Sequence, residues 1–137
     1  MNQKSIKNGT ISSLQLGTAI GIILFWISFF VFGFDHTIYP SYYTKFEHSF
    51  PIPDAFLCSM LFMAFYKRKT NYWLFYTLIA SGAMIFLGLC DASFNILNGI
   101  YFVGILDGFL NVFINIWCIL FGIFQIRYCH LNYPKNL

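Results

Sequence analysis

Four apolar runs, Leu14–Phe34, Pro53–Tyr66, Tyr72–Cys90 and Ile100–Ile126, make up most of this 137-residue chain and contain only two charged residues, Asp54 and Asp107. A soluble domain covers its surface with charge, roughly a quarter of its residues. Here 9% are charged and 58% hydrophobic. Crossing a bilayer takes ~20 apolar residues, a length the first, third and fourth runs reach. The second reaches it only if the residues before Pro53 join it, or if Lys67, Arg68 and Lys69 snorkel. The expectation is one transmembrane domain, residues 1–137, with spans at about 14–34, 53–69, 72–90 and 102–126 and an outer loop at 35–52. Its fold class is all-α, an integral membrane antiparallel four-helix bundle.

Charge orients the bundle. Lys4 and Lys7 precede the first run, Lys67, Arg68 and Lys69 follow the second, and Arg127 and Lys135 follow the fourth. Those segments share one side of a four-span chain, and the positive-inside rule makes that side cytoplasmic. The opposite side holds Lys45 and all five acids, Asp35, Glu47, Asp54, Asp91 and Asp107. The reading is a multi-pass protein of the cell (inner) membrane with both termini cytoplasmic and the first run an uncleaved anchor. The net charge of +3 reflects insertion. No basic face of nucleic-acid type is present. Cys58, Cys90, Cys118 and Cys129 lack paired spacing, so neither a redox motif nor a zinc site is indicated. No metal and no cofactor are expected.

The acids head stripes of small and polar residues at helical spacing. Asp107, Asn111 and Asn115 recur at i, i+4 and i+8, so they share one helix face. Asp91 lines up with Gly88, Met84, Ser81 and Thr77, Asp35 with Ser28, Gly21 and Thr18, and Asp54 with Cys58. Such residues face neighbouring helices rather than lipid, so the stripes converge. Asp54 sits roughly 18 Å from Tyr66 along its helix, inside the hydrocarbon layer. It reads as a first-turn acid that caps its helix, as a functional carboxylate, or as both. Asp91 is placed at the end of its helix near Cys90, where the dipole opposes a negative charge. Glu47 and His48, close to Asp54, form a second candidate, a carboxylate tuning an imidazole for proton transfer.

Two segments, Phe46–Asp54 (FEHSFPIPD) and Leu87–Tyr101 (LGLCDASFNILNGIY), resemble a pattern found in an uncharacterised family of small bacterial four-span membrane proteins, FEHxFPxAD followed by LGxxDxxFNxxNGxY. The matching polar positions are Glu47, His48, Asp54, Asp91, Asn95, Asn98 and Gly99; Pro53 departs from the small residue usual there. The resemblance implies four-span topology and a shared polar site, and it implies no chemistry.

The candidate ligand-binding pocket therefore comprises Glu47, His48, Asp54, Asp91, Asn95, Asn98, Asp107, Asn111 and Asn115, with no catalytic residue assigned. Its position implies a lipid bilayer as surroundings and a small cationic, polar or lipid-like ligand. Three functions compete: a binding protein, a membrane enzyme acting on a lipid-like substrate by acid–base chemistry, and a structural or assembly subunit whose polar stripes join helices. A cavity bounded by Asp54, Asp91 and Asn111 would favour binding. A long apolar side entrance would favour the enzyme, and a closed bundle with Asp54 bonded to Asn115 the subunit.

Overall fold

The computed structural model describes residues 3–32 and 39–132, and there every regular element is helical. Helix α1 is Gln3–Phe32, α2 is Ser41–Glu47, α3 is Pro51–Tyr66, α4 is Tyr72–Leu97, and α5 is Ile105–Asn132; a 3-10 turn, Ile100–Phe102, precedes α5. Four stretches are long and apolar enough to cross a membrane: Gly9–Val31, Ser41–Tyr66, Tyr72–Leu97 and Asp107–Asn132. In the second, α2 and α3 together make up the length that the apolar run after Pro53 lacks.

The distribution of side chains is compatible with apolar surroundings. Leu24, Ile27, Phe30, Phe75, Phe86, Phe109 and Leu120 are exposed, while Ser12, Gln15, Thr77, Ser81 and Gln125 are fully buried. A water-soluble bundle reverses that arrangement, because exposed apolar surface costs free energy in water. In hydrocarbon the polar groups must satisfy one another inside. Several pair here in one layer, which leaves Gln15 Oε1 without a hydrogen-bond partner. Gln15 Nε2 donates to Thr77 Oγ1 (3.0 Å) and to Gln125 Oε1 (2.6 Å), and Gln125 Nε2 donates to the Met84 sulfur (3.5 Å). Apolar clusters flank this layer, one with Ala19, Leu57, Leu61 and Phe121, the other with Ile11, Ala64, Trp73 and Cys129.

Backbone packing is closest between α4 and α5, followed by α1 with α3 and α3 with α4. Gly122 makes the first contact possible: a Cβ there would lie 2.6 Å from Ile85 Cγ1 and 2.9 Å from the Ser81 carbonyl oxygen. Helices α1 and α5 do not form a comparably close pair. They leave a seam.

Several boundaries differ from the sequence reading: α1 begins already at Gln3, α3 stops at Tyr66 and α5 runs Ile105–Asn132, and two further differences bear on the site. Ser41–Glu47, placed in the outer loop, is helical, with Tyr43 and Glu47 on its buried side. Helix α4 runs past Cys90 and Asp91 to Leu97, so Asp91 is an interior residue and not a terminal one. Asn95, one turn on, donates to Asp91 and supports the continuation. The helix stops at Asn98-Gly99, where Gly99 takes φ 66°, a left-handed conformation that glycine adopts without strain. The expected end of the first helix near Gly33-Phe34 lies outside the described residues, as do Asp35 and His36.

Candidate functional site

A cavity of about 460 Å³ lies in the half of the bundle that carries the acids, between α1, the α2–α3 segment, α4 and α5. That is within the ~300–1,000 Å³ common for small-molecule sites. Three carboxylates line it, each from a different helix: Glu47 at the end of α2, Asp54 in the first turn of α3, and Asp91 within α4. Asn111 and Asn115 of α5 complete the polar part, and the remaining lining is mostly apolar. Among the described residues that line it there is no Lys, Arg or His.

Local sequence explains each position. Pro51 and Pro53 open α3, where a missing N–H costs nothing, and they place Asp54 one turn in. Its backbone N–H already donates to the Phe50 carbonyl (2.8 Å), and no side chain caps this helix. The Asp54 carboxylate instead reaches across to α1 and accepts the indole N–H of Trp26 at 2.8 Å. Asp54 thus keeps the first-turn place where a negative charge complements the helix dipole, while its carboxylate hydrogen bond goes to Trp26. Asp91 accepts Asn95 Nδ2 at 3.1 Å and has Asn115 as a second hydrogen-bonding neighbour. Asn115, 3% exposed, also donates to the Tyr101 hydroxyl at 2.8 Å. Glu47 retains 7% of its surface; its neighbours include the Tyr43 hydroxyl and the charges of Asp91 and Asp54. Tyr43 in turn interacts with Asn111.

Four residues of the expected set lie elsewhere. His48 is exposed, with Nδ1 2.7 Å from the Thr44 carbonyl and its ring edge-on to Phe29 and Phe30. The Glu47–His48 proton-transfer pair is not assembled, because neighbours at a helix end project in different directions. Asn98 is exposed and donates to the Phe94 carbonyl, closing α4. Asn95 is fully buried behind Asp91, with its own Oδ1 unpartnered. Asp107, though on the same stripe as Asn111 and Asn115, does not line the cavity; it accepts the Tyr39 hydroxyl at 2.8 Å. Burial foremost, then the Asp107 hydrogen bond and charge, push the Tyr39 hydroxyl above its ordinary range, so it stays protonated and donates.

Other lining residues escaped the sequence reading. Trp26 and Trp117 border the cavity, and each indole N–H has a partner, Trp117 donating to Thr18 Oγ1 at 3.1 Å. A tryptophan within an apolar span needs such a partner, which is the signal the sequence offered. Gly17 was missed as well; it lines the α1 wall beside Thr18 and Gly21, which the converging stripe had included, and an added Cβ at either glycine would meet nothing within 4 Å. Among the described residues, no group of three His, Cys, Asp or Glu is placed to hold a metal ion. Comparison with protein families, with curated proteins and with solved structures finds no match to this chain.

Proposed function

We propose that this chain is a multi-pass protein of the cell membrane, with both termini cytoplasmic, whose acidic cavity binds a cationic small molecule. One observation carries the reading: Glu47, Asp54 and Asp91 converge on a single cavity whose described lining contains no basic side chain. Removing a carboxylate from water costs several kcal/mol unless a partner compensates it, and like charges nearby raise the cost. A bound cation offsets that cost for all three groups at once. An anion adds to it. Asn111 and Asn115 supply hydrogen bonds that orient a polar head.

The test is a thermal-shift panel in mild detergent with organic cations, neutral analogues and anions of matched size. Ligand at ~100 times Kd adds about 2.7 kcal/mol of stability. Only the cations should raise the Tm of the wild type, and Asp91→Asn should remove most of that rise. A rise with anions, or an equal rise in Asp91→Asn, would overturn the reading.

A second reading has its own observation in support. The cavity has apolar lining on α1 and α5, two helices that are not closely packed on each other, which suits an enzyme drawing a lipid-like substrate from the bilayer. Its acid–base residues are then Glu47 or Asp54, since His48 faces away. Incubation with lipid extract followed by mass spectrometry tests it: unchanged lipid would count against catalysis. The subunit reading draws no comparable support, because Asp54 is bonded to Trp26, not Asn115, and the bundle is not closed around it.

A further inference from the structure

The cavity wall has two chemical characters. The carboxylates gather at one end, while the lining that α1 contributes through Leu14, Gly17 and Gly21 and that α5 contributes through Leu110, Phe113 and Ile114 is apolar. Leu14, Leu110 and Phe113 are 40%, 47% and 56% exposed, so both helices that flank the seam carry apolar surface reaching the outside of the bundle. Two side-chain ties cross it, Trp117 to Thr18 and Gln15 to Gln125, and hold α1 and α5 in register without close backbone contact. Gly17 and Gly21 keep the slot wide, since their missing side chains leave space that no neighbour fills.

We propose that the occupant is a single-chain cationic amphiphile taken laterally from the bilayer, with its head among Glu47, Asp54 and Asp91 and its chain lying over Gly17 and Gly21 between α1 and α5. This rests on the cation reading above and names the ligand class it implies. A small hydrophilic cation would satisfy the carboxylates but leave the apolar slot unfilled. A phospholipid would bring a phosphate toward three carboxylates, and its two chains exceed a cavity of about 460 Å³. An amphiphile with one chain and one positive head matches both walls. It also needs no aqueous path, because it is already dissolved in the leaflet.

The experiment uses the full chain in phosphatidylcholine nanodiscs, with intrinsic fluorescence as readout, since Trp26 and Trp117 border the cavity. The probes are dodecyltrimethylammonium, tetramethylammonium and dodecanol. Dodecyltrimethylammonium should give a saturable change at least about tenfold tighter than tetramethylammonium, because burying the chain adds affinity with each methylene. Gly21→Leu, which fills the slot, should weaken the long-chain cation by about tenfold and leave tetramethylammonium unchanged. Asp91→Asn should weaken both cations. If Gly21→Leu does not fold, the chain-length comparison on the wild type decides alone. Equal affinity for the two cations, or a silent Gly21→Leu that folds, would overturn the amphiphile inference and leave the cation reading standing. Dodecanol binding as tightly as dodecyltrimethylammonium, or no binding by either cation, would sink both.

Discussion

Asp54 separates a functional carboxylate from a scaffold one, and the hydrogen bond it accepts from Trp26 allows a clean test. Asparagine keeps an oxygen that accepts the indole N–H, so Asp54→Asn should cost ~1 kcal/mol or less. Trp26→Phe should cost more, about 1–3 kcal/mol, because it leaves a carboxylate at the cavity without its donor. Melting curves in detergent with and without the dodecyl cation check both. The expected pattern is a stable Asp54→Asn that has lost its ligand response. A mutant that melts far lower yet keeps the ligand shift would make Asp54 scaffold and move the site toward Asp91. The Tyr39–Asp107 pair predicts a pH effect outside the cavity. Tyr39's raised folded-state value means its stabilisation is complete below the ordinary tyrosine range, near pH 10, and is lost as pH climbs toward the folded value. Wild type should therefore lose more Tm than Tyr39→Phe above about pH 10. At this scale the sequence exposes the acids, since a charge in an apolar run stands out. It hides their partners: Trp26 and Tyr39 meet Asp54 and Asp107 only through tertiary packing.

Among the elements, α4 and α5 depend on close approach, and their glycines predict opposite outcomes. Gly122→Ala places a Cβ against Ile85 and the Ser81 backbone, and should destabilise by about 1–3 kcal/mol. Gly82, on α4, has nothing within 4 Å of an added Cβ. Gly82→Ala should stabilise by about 0.5–1 kcal/mol through helix propensity alone. Unfolding both variants in the same detergent checks the pair, and equal effects would contradict the packing described. The four long helices were legible because apolar run length is a direct physical requirement of a bilayer span. The end of α4 was not. Asp91 looked like a boundary because charge usually marks one, but Asn95 and the cavity wall compensate it and let the helix continue to Asn98-Gly99. Helix α2 was hidden by the Tyr, Phe and Pro content of its segment, which suits an interfacial loop equally well. Gln15 and Gln125 were not singled out, because a lone amide in an apolar run carries no periodic signal; only the fold shows them bonded to each other.

For the whole molecule, orientation decides which compartment the acidic end serves. The distribution of Lys and Arg puts Lys67, Arg68, Lys69 and Arg127 at the end of the bundle opposite Glu47, Asp54 and Asp91. On the proposed orientation, in which insertion retains such basic clusters on the cytoplasmic side, the cavity would lie toward the outer leaflet. That placement matters for the ligand, because an amphiphile entering the seam then comes from the outer leaflet. Cysteines introduced by Asn2→Cys and Asn136→Cys should be protected from a membrane-impermeant maleimide in intact cells and labelled after permeabilisation. A cysteine at Ser41, the first residue of α2, should behave in the opposite way. Labelling of either terminal site from outside would invert the molecule and turn the acidic cavity toward the cytoplasm. The cation reading would survive that result, but its ligand would then be drawn from the inner leaflet, and the positive-inside assignment would be wrong for this chain.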